Sequence, residues 1–276
     1  METMEKDLEM DVAEDQISFD FLLNEETQTL EKAESFEWIK DETLVLLVRS
    51  QKNVSPDFDI CGKKMIDWVK MATSICTQKV VEDAEDVLAL AKEHAEGYNF
   101  VAVIYSDTPL LKNSTFCDIM NFFSRERMNV LQLQRGYVFR TGYLQNARMI
   151  LSSNETKFGD EDFLVVDNAE KLSHAFDVLQ GRILDYHKQN GVVLFGENTI
   201  FIDADVEIED GCVIYPNNVI KGESYIGKNV ILESGNYILD TIVCDEAFVC
   251  QSYLEKSKIS NGKVVGPFDK IINQKF

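Results

Sequence analysis

Two aspartates end apolar stretches of the chain at positions where a metal ion could bind. Asp107 follows the apolar run Phe100–Tyr105, and Asp167 ends the run Phe163–Asp167. Such runs predict buried strands, and open α/β sheets bind ligands at the carboxyl ends of their strands. Two carboxylates at neighbouring strand ends would suit one Mg²⁺, which prefers oxygen ligands. Strand-end aspartates also cap helices and form turns, so their spacing alone leaves both interpretations open.

The segments around these aspartates alternate between strand and helix patterns. The run Thr43–Arg49, TLVLLVR, is typical of a parallel strand buried on both faces. Helices are predicted at Cys61–Met71 and Thr115–Arg125, and a short strand at Tyr137–Phe139. This order predicts a parallel α/β sheet with Asp107 at its ligand-binding edge.

A longer amphipathic helix is predicted after Asp167. Asn168 can cap its first turn, and Gly191 is a typical stop. Its apolar residues form one stripe, namely Leu172, Phe176, Leu179, Ile183 and Tyr186. This helix leads into the last third of the chain, so we expect it to connect two domains.

The last third has an apolar residue at every sixth position. The series runs Ile202, Ile208, Ile214, Ile220, Ile226, Leu232 and Ile238. Neither a helix nor a simple alternating strand has this period, whereas a chain that turns a corner every six residues does. Three such edges complete one coil of a prism, so the series predicts a left-handed parallel β-helix of stacked coils. The residue four places after each member is small or compact, which indicates an inward position near a corner.

The chain is strongly acidic, with a net charge of −21 over 276 residues. Residues 1–42 hold 15 of the acidic side chains and only three lysines. The acidity argues against nucleic acid as a partner, because a phosphate backbone needs a basic face. No apolar run is long enough for a membrane span, and the N-terminus lacks a secretory signal, so we expect a cytoplasmic protein. The acidic extension, with a partial helix predicted between residues 21 and 38, is either a solvated segment or a docking tail for a basic partner.

Four segments follow from these patterns. They are an acidic N-terminal extension over residues 1–42, a reduced Rossmann-like α/β domain over 43–168, a connecting helix over 169–191 and the β-helix over 192–276.

This order of domains, together with several motifs, resembles one enzyme family. It is the bifunctional N-acetylglucosamine-1-phosphate uridylyltransferase and glucosamine-1-phosphate acetyltransferase, which makes UDP-N-acetylglucosamine. The similarity is strongest over residues 165–268, where ILDYHKQNGV and KVVGPF look like parts of the family's linker helix and first coils. SDTPLL at residues 106–111 looks like the strand-end Gly-Asp-x-Pro-Leu motif, and CGKKMIDWV from Cys61 resembles the family's Gly-Lys-Pro-Met helix start.

The resemblance implies roles for the two aspartates. The family's motif aspartate, a ligand of the catalytic Mg²⁺, maps onto Asp107. The second ligand, an asparagine in a Val-Asn-x-Arg motif, maps onto Asp167 within Val166-Asp167-Asn168-Ala169. Because aspartate is also an oxygen ligand, Mg²⁺ is the cofactor that the resemblance predicts.

Several family motifs have changed in this chain. The strand TLVLLVR is not followed by the Gly-x-Gly loop that holds nucleotide phosphates, and Lys52, Lys63 and Lys64 are the only cations nearby. We therefore assign Lys63 and Lys64 as candidate nucleotide-binding residues. The Asn-Thr-Gly of the family's sugar pocket has become Gln134-Arg135-Gly136. Phosphoryl transfer depends on positioning and charge neutralisation, so these changes predict weak or absent uridylyltransferase activity, and no catalytic residue can be assigned.

The acetyltransferase half of the family has no counterpart here. The family's catalytic histidine and later coils lie beyond the end of this chain, and its three histidines, His94, His174 and His187, all precede the β-helix. Without a general base there, acyl transfer is not expected.

Two main functional hypotheses remain. The first is a divergent sugar-1-phosphate uridylyltransferase that binds a nucleotide sugar and uses Asp107 and Asp167 on Mg²⁺. The second is a non-catalytic descendant that serves as an oligomeric scaffold or nucleotide-sugar sensor. The family's β-helices commonly form trimers, and a stripe of outward apolar residues would suit such an interface, namely Val213, Val219, Tyr225, Ile231 and Tyr237. That stripe could instead pack against the α/β domain or the N-terminal segment.

Overall fold

The computed structural model describes residues 37–50, 53–151 and 157–274. Nearly all of the acidic extension, with its predicted helix, lies outside these residues, as does Lys52. Within the described ranges, no helix combines the length and the apolar character needed to cross a bilayer.

A five-stranded mixed sheet forms the centre of the first domain. The sheet contains β1 Thr43–Arg49, β4 Thr77–Glu82, β5 Phe100–Tyr105, β6 Val130–Leu133 and β7 Gly136–Arg140. A separate two-stranded hairpin consists of β2 Asp59–Ile60 and β3 Lys63–Lys64. The helices are α1 Glu37–Glu42, α2 Met65–Ala72, α3 Val87–His94, α4 Asn113–Arg125 and α5 Thr141–Leu144. The strand order is β4-β1-β5-β7-β6, with β1 and β5 buried almost throughout. The continuous apolar runs therefore mark the two central strands.

The prediction of a parallel sheet is only partly correct. Strands β4, β1 and β5 are parallel, whereas β7 runs antiparallel to β5, and β6 runs antiparallel to β7. Only Gln134 and Arg135 separate β6 from β7, and a parallel pair would need a crossover of a dozen or more residues. The short connection therefore requires an antiparallel hairpin.

Two other predicted elements differ in the structure. The helix expected at Cys61–Met71 begins only at Met65, because Cys61 and Gly62 have φ of 53° and 82° and form the turn of the β2–β3 hairpin. The strand expected at Phe163–Asp167 is absent, and that segment is irregular. Phe163 and Val166 are nevertheless buried. The apolar pattern of this segment therefore indicated burial correctly, although the segment is not a strand of the sheet.

The connecting helix is confirmed as α6, Ala169–Gln189. The side chain of Asn168 accepts a hydrogen bond from the Lys171 N–H at 3.0 Å, as a helix N-cap does. Gly191 follows the end of the helix with φ of +84°, which satisfies the predicted stop. Leu179 and Ile183 of its stripe are buried against the second domain's core.

Three parallel sheets of short strands form the second domain. The strands are β8 Val193–Leu194, β9 Phe201–Ile202, β10 Glu207–Ile208, β11 Val213–Ile214, β12 Val219–Lys221, β13 Tyr225–Ile226, β14 Ile231–Leu232, β15 Tyr237–Leu239, β16 Ile242–Val243, β17 Phe248–Val249, β18 Tyr253–Glu255, β19 Lys258–Ile259, β20 Val264–Val265 and β21 Lys270–Ile272, with a 3₁₀ turn at Glu197–Thr199. Their orders are β10-β13-β16-β19, β20-β17-β14-β11-β8 and β21-β18-β15-β12-β9. Successive strands thus enter successive sheets, which confirms a parallel β-helix, while its left-handed sense stays a prediction. All seven residues of the period-six series are buried.

Polar ladders line two inner corners of the β-helix. Asn236 Nδ2 donates to Asn218 Oδ1 at 2.9 Å and to the Glu233 carbonyl at 2.6 Å, and Asn236 Oδ1 accepts from the Ser252 N–H at 3.0 Å. At another corner, the Thr241 N–H donates to Ser224 Oγ at 3.2 Å. These side chains satisfy backbone groups that the corners leave out of the strand ladders.

Replacing Asn236 by alanine is expected to lower the free energy of unfolding by about 2–4 kcal/mol, because several buried groups lose their partners together. Urea denaturation followed by circular dichroism measures this loss. The matched control is Asn198→Ala, an exposed site, where the change should stay within ~0.5 kcal/mol. Equal effects at the two sites would contradict a structural role for the ladder.

The predicted outward stripe does not form one surface. Val213 and Ile231 lie on one sheet, Val219 and Tyr237 on the next, and Tyr225 on the third. A step of six residues carries the chain around a corner to another sheet, so the interpretation of these five residues as a single stripe was wrong.

One sheet nevertheless has an uninterrupted apolar row on its outer side, which we call the apolar face. It consists of residues paired in register along β8-β11-β14-β17-β20, namely Val193, Val213, Ile231, Phe248 and Val264. Val193, Ile231 and Val264 are 45%, 37% and 65% exposed. The corresponding rows of the other two sheets include charged residues, Lys270 on one and Glu207 with Lys258 on the other.

Candidate functional site

The carboxyl ends of β1 and β5 meet at one edge of the mixed sheet. The two strands are parallel neighbours, so Ser50 and Asp107, just past their ends, lie side by side. Ser50 Oγ donates to Asp107 Oδ2 at 2.6 Å, and the Ser50 N–H donates to Ser106 Oγ at 2.9 Å. Asp107 is 1% exposed, which makes it a buried carboxylate at the predicted place.

Arg135 reaches the same edge from the β6–β7 turn. Because β7 runs antiparallel to β5, its first residue, Gly136, pairs with Ile104 near the end of β5. Arg135 therefore stands above that strand end. Its Nε donates to Asp107 Oδ1 at 3.0 Å and its Nη2 donates to Asp107 Oδ2 at 2.7 Å, a bidentate ion pair.

Further contacts hold the guanidinium in place. Its central carbon lies 3.7 Å from the centre of the Tyr105 ring, and Nη2 is 3.3 Å from Ser50 Oγ. Burial alone would lower the pKa of Arg135, but the hydrogen bonds and charge of Asp107 outweigh burial and keep that pKa above its usual value. Arg135 thus remains a cation at any physiological pH.

Asp167 lies near this edge but has its own partners. The Val166 N–H donates to the Asp107 carbonyl at 2.8 Å, so the structure brings together the two segments that the sequence placed at neighbouring strand ends. Asp167 Oδ1 accepts from Lys171 Nζ and from Asn168 Nδ2, both at 2.9 Å. The Asp167 carboxylate is thus paired with the first turn of α6.

In this arrangement the carboxylate oxygens of Asp107 and Asp167 do not fit a Mg²⁺ ion as ligands. The two oxygens of Asp107 already accept three hydrogen bonds, and the side chain has almost no solvent exposure. Mg²⁺ keeps several water molecules in proteins, and this carboxylate leaves no room for them. Among the described residues, no group of three or more acidic, histidine or cysteine side chains is arranged to hold a metal.

The two candidate nucleotide-binding lysines lie on the β2–β3 hairpin. Lys63 Nζ is 2.5 Å from Asp205 Oδ1 in the β-helix, and Lys64 Nζ is 3.8 Å from Asp57 Oδ1. Asp57 also pairs with Arg49, with Nη2 2.5 Å from Oδ2. Both lysines thus face carboxylates, and their assignment to nucleotide binding stays a prediction.

Sequence reasoning missed Arg135 and Ser50 as partners of Asp107. The available signal was the replacement of the sugar-pocket motif by Gln134-Arg135-Gly136. A buried carboxylate needs a cation or several donors, and the arginine in that motif was a candidate.

Comparisons with known proteins point to one group of relatives, although no family model matches the chain. The bifunctional protein GlmU of Clostridium beijerinckii is 35% identical over 131 residues, which are 46% of this chain and 29% of that protein. GlmU of Streptococcus agalactiae is 37% identical over 111 residues, covering 40% and 24%. The match thus covers less than a third of the length of each of these two relatives.

Similar solved structures include one bacterial synthase. It is a 4-diphosphocytidyl-2C-methyl-D-erythritol synthase from Anaerococcus prevotii, with 8% identity, coverage of 51% of this chain and 99% of that chain, and a TM-score of 0.38, too low to establish a shared fold. The sequence matches carry the relationship: over part of its length, this chain is homologous to the bifunctional GlmU proteins.

Proposed function

We propose that this chain is a non-catalytic relative of the sugar nucleotidyltransferases that serves as an oligomeric scaffold. The observation that carries the proposal is the apolar face of the β-helix. The five paired residues are all apolar, and Phe195, at 49% exposure, packs against Tyr215 and extends the surface beside them up to Glu233, which stands at the same register position. Contiguous exposed apolar surface of this kind is characteristic of interaction sites.

The occupant that we propose for the apolar face is another copy of the same chain. Every copy carries the same flat row, so a closed symmetric assembly can cover all of them. A trimer is favoured, since the family that the chain resembles commonly assembles in this way through its β-helix. A net charge of −21 per copy opposes association, so the apolar contact must outweigh that repulsion.

Light scattering coupled to gel filtration tests the assembly. The wild-type chain should elute as a trimer, and Ile231→Glu should dissociate it, because a carboxylate at the centre of the apolar face would be buried without a partner. The matched control is Ile242→Glu, which places the same charge on the outer side of another sheet and should leave the trimer intact. A monomeric wild-type protein at high concentration would remove the scaffold proposal.

The non-catalytic part of the proposal is supported by the α/β domain. Asp107 is neutralised by Arg135, and β1 is not followed by a Gly-x-Gly phosphate loop. Asp83 also lies close enough to Arg135 to affect its pKa, which adds negative charge near the edge. Such a site offers little attraction to the phosphates of a nucleotide.

One observation favours the alternative, a divergent uridylyltransferase. The 2.8 Å hydrogen bond between Val166 and the Asp107 carbonyl keeps the two aspartate segments adjacent, as a shared metal would require. For this alternative function, nucleotide-sugar binding, Mg²⁺ dependence and a cytoplasmic location remain predictions.

Calorimetry distinguishes the two functions. We expect no heat of binding from UTP or UDP-N-acetylglucosamine at millimolar concentration, with or without Mg²⁺. Micromolar binding that requires Mg²⁺ and disappears in Asp107→Ala would support the enzyme. Micromolar binding without Mg²⁺ would instead support a nucleotide-sugar sensor.

A further inference from the structure

Asp107 is a buried carboxylate with a permanent positive charge fixed against it. Its ion pair with Arg135 is bidentate, with distances of 3.0 and 2.7 Å, and Ser50 supplies a third donor at 2.6 Å. An ionised carboxylate has about four positions at which it can accept hydrogen bonds, so most of them are filled. The side chain is 1% exposed, which leaves no route for a hydrated ion to reach the remainder.

The arginine is held as firmly as the aspartate. Stacking on Tyr105 fixes the plane of the guanidinium, and Gly136, the next residue, is paired with Ile104 in the sheet. Three separate parts of the chain therefore meet at this point, following β1, following β5 and preceding β7. The guanidinium is thus a built-in part of the sheet edge.

We infer that the Arg135 guanidinium is the resident cation of this site and occupies the position on Asp107 that a divalent metal would need. The site therefore requires no metal for its charge balance, and removal of the arginine should expose a carboxylate able to bind one. This inference deepens the non-catalytic part of the proposed function and rests on it. It is independent of the trimer, so a monomeric protein would leave it standing.

Mn²⁺ titration monitored by electron paramagnetic resonance tests the inference in the full chain. An acidic protein binds some Mn²⁺ weakly at many places, so the informative quantity is the difference between proteins that differ only at residue 107. Wild type and Asp107→Asn should bind equal amounts. Arg135→Ala should bind one additional Mn²⁺, at least ~10-fold more tightly than wild type, and the double variant with Asp107→Asn should lose that ion.

Every result of the Mn²⁺ titration either supports or contradicts the inference that Arg135 takes the place of a metal on Asp107. Loss of a bound Mn²⁺ in Asp107→Asn relative to wild type would overturn the inference, as would a folded Arg135→Ala protein that gains no ion. Should Arg135→Ala fail to fold, the wild-type and Asp107→Asn pair still decides whether a metal binds at Asp107. Arg135→Lys, which keeps a positive charge, should resemble wild type in its Mn²⁺ binding.

Discussion

Replacing Gly136 by alanine is expected to lower the free energy of unfolding by more than ~3 kcal/mol. Gly136 has φ of +133°, which L side chains rarely adopt, and an added Cβ would lie 2.3 Å from the Val103 carbonyl oxygen. Val103 belongs to the central strand β5, so its backbone has little freedom to move. Relief of the clash would separate β7 from β5 and carry Arg135 away from Asp107.

Urea denaturation measures the effect, and Gly142→Ala is the matched control. Gly142 lies in the short helix α5, and a Cβ there would meet no atom within 4 Å. Alanine should therefore leave stability unchanged or raise it by up to ~1 kcal/mol, since glycine disfavours helices. A mild effect at Gly136 would mean that the β5–β7 pairing is more tolerant than its geometry indicates.

The second prediction with a large effect is that His187 lowers the free energy of unfolding in acid. This residue lies in the last turn of α6, is 2% exposed, and its buried Nδ1 has no hydrogen-bond partner among the described residues. Burial lowers the pKa of His187 from 6.5 to about 4. Between these values the unfolded chain binds more protons at this residue than the folded chain. Stability therefore falls as the pH drops from ~6.5 to ~4, by ~1.4 kcal/mol per pH unit and ~3 kcal/mol in total.

Comparison of variants isolates this contribution from that of the many carboxylates. The difference in unfolding free energy between wild type and His187→Leu, measured by urea denaturation from pH 7.5 to 4, should shift by ~3 kcal/mol against wild type. The matched control is His174→Leu, which makes the same substitution at a half-exposed site in the same helix. Parallel curves for wild type and His187→Leu would show that His187 is not buried as a neutral side chain.

The β-helix was largely predictable because its pattern is local. One inward residue per edge recurs every six positions, and each of those from Ile202 to Ile238 is buried. The same pattern could not identify the apolar face. Residues on one outer face are separated by a full coil, such as Val213 and Ile231, so neighbouring repeats in the sequence lie on different faces.

The α/β domain was less predictable at its edges than at its centre. The apolar runs of β1 and β5 identified the two central strands, and the segments carrying Asp107 and Asp167 do meet. Strand β6 was missed, and with it the hairpin that makes the sheet mixed. Its sequence, VLQL, is too short for an alternating pattern to stand out.

The sequence by itself determined the repeat of the β-helix and the connecting helix, because burial recurs along both of them with a period set by local geometry. It also determined the two central strands, because both faces of these strands are buried and their apolar residues therefore run without interruption. Only the tertiary structure decided what neutralises Asp107. Its partners, Arg135 and Ser50, are 28 and 57 residues away, and they meet only because β1, β5 and β7 are neighbours in the sheet. Whether a carboxylate binds a metal or an arginine depends on which side chains the fold places beside it. Those side chains come from distant parts of the chain, so the local sequence does not reveal them.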